Sequence, residues 1–235
     1  KKLVDDVSFS VRKGEVLGIA GLMGAGRSEL LMAIFGAWPG KNAGEIYVDG
    51  KDKKIGSPSD AIENGIGFVT EDRKRFGLIL DQTILDNSTL AGLKRISGTF
   101  LTHRSRETVA TKKVMRSLRV KARSPMTITG TLSGGNQQKV VLGKWLLTEP
   151  KVLFLDEPTR GIDVGAKQEI YTEINKLAAS GVAIVMVSSE LPEVLGLADR
   201  IIVLHEGKLT GEFLRSEATP EKVMVAATGE SKVMV

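Results

Sequence analysis

The sequence predicts an α/β fold in which helices layer a parallel sheet, with a small antiparallel β layer beside it and a helical subdomain inserted into it. Three observations carry this prediction. Short and nearly continuous apolar runs alternate with segments of helical period, as expected of strands buried on both faces. The first such run ends at a glycine-rich loop that opens a helix. A long central stretch carries no strand signal at all.

Taken in order, Val7 to Val11 and the turn at Lys13-Gly14 read as one arm of the antiparallel layer, and Glu45 to Val48, closing on Asp49-Gly50, as another. Between them Val16-Leu17-Gly18-Ile19-Ala20 is a buried strand. Ser28 to Phe35 follows with helical spacing and a stopping Gly36. Residues 83–127, polar linkers and basic helices, form the inserted subdomain. From Lys139 the pattern runs helix to Leu147, strand Val152 to Leu155, helix Val164 to Ala178, strand Ala183 to Val187 and strand Ile201 to Leu204. His205-Glu206-Gly207-Lys208 is a hairpin turn, and Thr219-Pro220 opens a short helix by the order of cap and proline. The expected organisation is one domain over 1–235, with 128–235 returning to the core.

A chain of 235 residues fits a single α/β domain with an inserted lobe. Apolar runs such as Val182 to Val187 are far shorter than the roughly 20 residues a membrane-spanning helix needs. Lys1 leads into a polar and apolar mixture without a signal-peptide pattern. With zero cysteines, disulfides and thiolate metal ligands are excluded. The net charge of +5 is concentrated at Arg104, Arg106, Lys112, Lys113, Arg116, Arg119, Lys121 and Arg123. That stretch has no aromatic residues on which bases would stack, so a solvated helix face is expected and no nucleic acid.

The chemistry sits in three segments. Gly21-Leu22-Met23-Gly24-Ala25-Gly26-Arg27-Ser28 fits a phosphate loop except at Arg27, where the pattern has lysine. Its glycines let successive N–H groups, together with the start of the helix at Glu29, point at phosphate oxygens, while Ser28 offers a hydroxyl to Mg²⁺. Arg27 keeps the cation but is longer, planar and forked. Asp156 and Glu157 end a buried strand, where open α/β sheets place ligands. Asp156 is expected to hold Mg²⁺ through water and Glu157 to polarise the water that attacks a γ-phosphate. Leu132-Ser133-Gly134-Gly135-Asn136-Gln137-Gln138 places Ser133 as a cap on a helix whose first turn, Gly134 and Gly135, offers free N–H groups to a phosphate. Because the chain has its own phosphate loop, this second anion site is expected to serve a nucleotide held by a partner.

On these segments, and on Thr70-Glu71-Asp72-Arg73-Lys74-Arg75, Leu155 to Lys167 and Ser188-Ser189-Glu190-Leu191-Pro192-Glu193-Val194, the chain resembles ATP-binding cassette (ABC) ATPases of the P-loop NTPase fold. Within them it is most similar to the carboxyl-terminal cassette of bacterial monosaccharide importers of the ribose, xylose and galactose type. The resemblance covers essentially the whole chain. It implies ATP and Mg²⁺ as cofactors, a second cassette, fused or in trans, membrane permease subunits, and indirectly a periplasmic sugar-binding protein. It also implies a peripheral place at the cytoplasmic face of the inner membrane, and that this chain is half of a longer polypeptide. Where the family offers a glutamine in the loop that couples γ-phosphate to permease, Glu71 stands; where it offers a γ-phosphate-sensing histidine, Ser189 stands. Mg²⁺ or Arg73 is expected to offset the charge of Glu71 and Asp72. The aromatic that stacks on adenine in the family falls before the start of this sequence.

Three readings follow: a transporter motor that hydrolyses ATP with a partner, a largely non-hydrolytic nucleotide-binding regulatory module, and a non-transport ABC ATPase acting on nucleic acid. The first two merge if the catalytic unit is a pair of cassettes, one site of which is slowed by Arg27, Glu71 and Ser189.

Overall fold

The structure, a computed structural model, describes residues 3–97 and 102–230. Its sheet has six strands: β1 (Val16–Gly21), β4 (Ile66–Val69), β5 (Val152–Asp156), β6 (Ala183–Val187), β7 (Arg200–His205) and β8 (Lys208–Leu214), in the order β4-β5-β6-β1-β7-β8. All neighbours are parallel except β7 and β8. Leu17, Ile19, Leu153, Leu155, Ile184, Val185 and Met186 are buried, because helices cover both faces of these strands.

The helices are α1 (Arg27–Ile34), α2 (Pro58–Glu63), α3 (Ile84–Thr89), α4 (Leu93–Ser97), α5 (Arg104–Ser117), α6 (Gly134–Leu146), α7 (Val164–Ala179), α8 (Leu191–Leu197) and α9 (Pro220–Thr228). Phe35 at the carboxyl cap of α1, Phe68 of β4, Trp145 of α6 and Phe154 of β5 meet edge to face, joining the two helices to the sheet. Helices α3, α4 and α5 lie between β4 and β5 in the chain; residues 98–101 of that stretch are outside the described ones. On α5, Glu107, Thr111, Val114 and Met115 face inward, while Arg106, Lys112, Lys113 and Arg116 are exposed, so the basic run is a solvated face. Among the described residues no helix is long and apolar enough to cross a membrane.

The antiparallel layer is smaller than expected. Among the described residues of this layer only Tyr47–Val48 (β2) and Lys51–Asp52 (β3) pair, around Asp49 and Gly50, which have φ of 51° and 71° as a tight hairpin turn requires. Val7 to Val11 is not a strand. Val7, Phe9 and Val11 do pack half-buried on the core, so the alternation is real; the backbone beside them forms no ladder. The expected hairpin at Glu206-Gly207 and the helix capped by Thr219 are both present, Thr219 accepting from Lys222 N.

Candidate nucleotide site

The registers of the sheet bring three loops to one edge. Asp156 pairs with Val187, and Val187 with Ile19, so β5, β6 and β1 end side by side. The chain leaves those ends as Glu157, Ser188 and Gly21. This is the carboxyl edge of a parallel sheet, the usual ligand edge of such folds.

The loop after β1 turns at Gly24 and Gly26, with φ of 79° and 95°, before α1 begins at Arg27. Gly26, as the cap of α1, has no side chain to satisfy the first-turn N–H groups, so those of Arg27, Ser28 and Glu29 keep their donor capacity. Leu22 and Met23 are exposed; Ala25 is buried. Ser28 Oγ donates to Asp156 Oδ1 at 3.1 Å. Together they offer the hard oxygens that Mg²⁺ prefers. Among the described residues no cluster of His, Cys, Asp and Glu gathers to hold a metal without other ligands.

Burial pushes the Asp156 carboxyl up to about 6, against the Ser28 hydrogen bond and the Arg27 charge, which favour the ionised form. Nearby Glu157 and Glu29 push it further up. Glu157 is also raised, first by burial. Its backbone has a φ of 49°, and its N–H donates to Val187 O at 2.9 Å, which fixes the turn after β5. Ser189 Oγ donates to Glu157 Oε2 at 3.0 Å, so Ser189 sits against the acid that sequence reasoning placed on the attacking water.

Arg27 does not reach into the loop as a bridging cation would. Its Nη1 donates to the Ser188 carbonyl at 3.0 Å, tying α1 to the end of β6. Ser188 is fixed in turn by Glu193 of α8, a residue the sequence does not single out. Glu193 accepts from Ser188 Oγ at 2.8 Å, Thr159 Oγ1 at 2.6 Å, Lys167 Nζ at 3.1 Å and Tyr171 Oη. Burial would raise this carboxyl, but the four donors hold it below the ordinary value. Its partners come from three separate stretches of chain, the loop after β5, α7 and the end of β6, which is why no local pattern exposes it.

Glu71 pairs with Arg160, a few residues past Glu157, and not with Arg73 as expected. Asp72 instead accepts from Lys74 N at 3.0 Å and Arg75 N at 3.1 Å, capping the π-helical turn Arg73–Gly77. The charge expected to burden this loop is therefore spent on local contacts.

The turn before α6 also departs from expectation. Ser133 occupies the cap position of α6 but makes no side-chain cap; its hydroxyl accepts from Asn136 Nδ2 at 2.9 Å. Gly134 faces Arg73 and Gly161, and Gly135 faces Ala166 so closely that an added Cβ would lie 2.5 Å from the Ala166 Cβ. Among the described residues no hydrogen bond or ion pair joins Ser133–Gly135 to the loop 21–28.

Residues 4–160 match the family described as ABC transporter. The chain belongs to that family. The cassette is 60% identical over 229 residues to the xylose import ATP-binding protein of Moorella thermoacetica, covering 97% of this chain and 45% of that protein. It is 52% identical over 229 residues to the ribose import ATP-binding protein of Bacillus licheniformis, covering 97% of this chain and 46% of that protein. The chain spans about half the length of the curated relatives it matches. Its fold is also that of a nucleotide-free ATP-binding cassette from an ABC transporter, with a TM-score of 0.79 at 24% identity, covering 97% of this chain and 90% of that one. A bacterial ABC transporter cassette solved as a dimer gives 0.76 at 25% identity over 91% of this chain and 90% of that one.

Proposed function

We propose that this chain is the ATP-binding and ATP-hydrolysing domain of a monosaccharide importer, and that it contributes its Ser133-Gly134-Gly135 turn to the ATP site of a second cassette. The observation that carries the reading is the convergence at the sheet edge: a glycine loop opening α1, Ser28 on Asp156, and Ser189 on Glu157. Xylose and ribose import are named for its relatives at 60% and 52% identity and supply the substrate class. One cassette over 1–235, with a helical lobe at 83–127, is the organisation proposed.

In this reading the N–H groups of residues 21–29 hold the phosphates. Ser28 and Asp156 hold Mg²⁺, which when bound neutralises phosphate charge. Asp156 would hold the cation in its ionised form, which the Ser28 hydrogen bond and the Arg27 charge favour. Glu157 orients the attacking water and takes its proton, helped by the burial that raises its basicity. Ser189 orients Glu157, and Glu71 stays paired to Arg160 in the loop that faces the permease. The partners are a second cassette, permease subunits and, indirectly, a periplasmic sugar-binding protein, with the chain on the cytoplasmic membrane face and no nucleic acid among its partners.

A slow own site is favoured by one observation: the Arg27 guanidinium is engaged by the Ser188 carbonyl. The chain alone is therefore expected to bind Mg-ATP weakly and turn it over very slowly. Calorimetry and phosphate release on the dilute chain, set beside the full-length polypeptide reconstituted with permease and sugar-loaded binding protein, test this. Robust turnover by the dilute chain would overturn the shared site.

A further inference from the structure

Arg73 stands where three elements meet. Its Nε donates to Gln137 Oε1 of α6 at 3.4 Å, its Nη1 to Arg160 O at 2.8 Å and its Nη2 to Gly161 O at 3.2 Å. All three acceptors are neutral. Burial lowers the pKa of this guanidinium against the charge of neighbouring Asp72, which favours the cation, while Glu71 pairs with Arg160 and Asp72 also accepts from the amides after it. The contacts of Arg73 are therefore about shape and reach more than charge pairing.

The same guanidinium explains Gly134. A Cβ at Gly134 would lie 2.8 Å from Arg73 Nη2 and 3.0 Å from Gly161 O. The backbone there needs no positive φ, so the glycine answers a close approach. Helix α6 grips the same segment again one end further on, where Lys144 Nζ donates to Gly77 O at 2.6 Å, Gly77 being the last residue of the turn that Arg73 begins.

We propose that Arg73 is a positioning residue for the Ser133–Gly135 turn, setting the orientation of the first-turn amides of α6 relative to the Arg160–Gly161 strip and the segment after β4. The inference rests on the reading that this turn serves a partner's nucleotide. A fork is required, since only a planar group with separated donors reaches Gln137, Arg160 and Gly161 at once; a lysine ammonium reaches one of them. Small displacements of a positioning group are costly because the reacting geometry tolerates little error.

The test uses the full-length polypeptide with its permease and sugar-loaded binding protein. Arg73→Gln and Arg73→Lys are expected to lower kcat for ATP by about 10-fold to 100-fold, while equilibrium Mg-ATP binding to this chain stays unchanged. Arg75→Gln, in the same turn but outside the clasp, is expected to match the parent. Gly134→Ala is expected to lower kcat alone but to add little on Arg73→Gln, because both changes act on one turn. Wild-type kcat in Arg73→Lys, or losses that multiply in Gly134→Ala/Arg73→Gln, would overturn the proposal. A parent protein that hydrolyses no ATP would instead remove the reading on which it stands.

Discussion

The loop 21–28 and the turn 133–135 are both glycine-rich starts of helices, yet Gly24 and Gly134 answer opposite demands. At Gly24 the backbone has a φ of 79° and an added Cβ would meet nothing within 4 Å, so the residue is demanded by the path of the chain. At Gly134 and Gly135 the backbone is ordinary and the surroundings are crowded, so the residues are demanded by Arg73, Gly161 and Ala166. The first loop is exposed, with Met23 99% accessible. The second is fastened from three sides. The first loop is also held where it returns to the core, Gly207 N donating to Ala25 O at 3.0 Å, so the contrast is between its exposed tip at Gly24 and the crowded Gly134 and Gly135.

The sharpest break in that comparison is Gly134→Asp. The carboxylate would oppose a phosphate at the start of α6 and crowd the Arg73 guanidinium. Loss of one such transition-state contact costs about 10² to 10³ in rate, so turnover of the full-length protein is expected to fall that far. Mg-ATP affinity of this chain's own loop should hold. Calorimetry beside phosphate release separates the two, and affinity falling with rate would mean that the turn belongs to the chain's own site.

A second prediction sharpens how firmly α6 is fastened. Lys144 is buried, its Nζ donating to the Gly77 carbonyl at 2.6 Å and lying 5.1 Å from the centroid of the Trp145 ring; burial lowers its pKa from 10.5 to about 8. Below about pH 8 the lysine is charged both folded and unfolded, and folding bears the cost of burying that charge, roughly 3 kcal/mol at 1.36 kcal/mol per pKa unit. Between about 8 and 10.5 only the unfolded chain stays protonated, so stability is expected to rise with pH and to level off above that window. In Lys144→Met the rise should vanish. Denaturant titrations at several pH values report it, and an identical rise in the variant would assign it to other groups.

Much of this was legible in the sequence, for reasons that differ by element. Strands β1, β5, β6 and β7 are covered on both faces, so burial alone writes them as apolar runs. Strand β4 is not legible that way: Gly65 and Gly67 interrupt Ile66 and Phe68, and Gly67 is small because Leu153 and Trp145 press on it. Val7 to Val11 shows the converse, an alternating pattern that records a packed face without recording whether the backbone pairs. At the site, Ser28, Asp156 and Glu157 stood out because each sits at a strand end or glycine-rich loop whose backbone announces itself, and Ser189 stood out through the family resemblance. The contacts of Glu193 and Arg73 were not legible: Glu193 stands without a role in a segment that carries the resemblance, and Arg73 is expected from the sequence to offset Glu71 and Asp72. Their partners are distant hydroxyls, ammonium groups and main-chain carbonyls, and carbonyls leave no trace in the sequence.

The smallest effect is expected at Glu157. If Arg27, held by the Ser188 carbonyl, leaves the chain's own site slow, Glu157→Gln removes little of the total turnover. A residue that polarises an attacking water contributes on the order of 10² to 10⁴, so its loss from a fast site would be deep. In the full-length protein the expected fall is under about 10-fold, against that range for the matching change in the partner cassette. Ser189 donates to Glu157 Oε2, and glutamine can still accept that bond through its amide oxygen, so the geometry of the turn should survive and the comparison stays one of charge. Single-site variants assayed with permease and sugar-loaded binding protein decide it. A loss as deep as the partner's would show that Arg27 and Ser189 leave this site fully competent, and that the exposed loop and the clasped turn contribute equally to turnover.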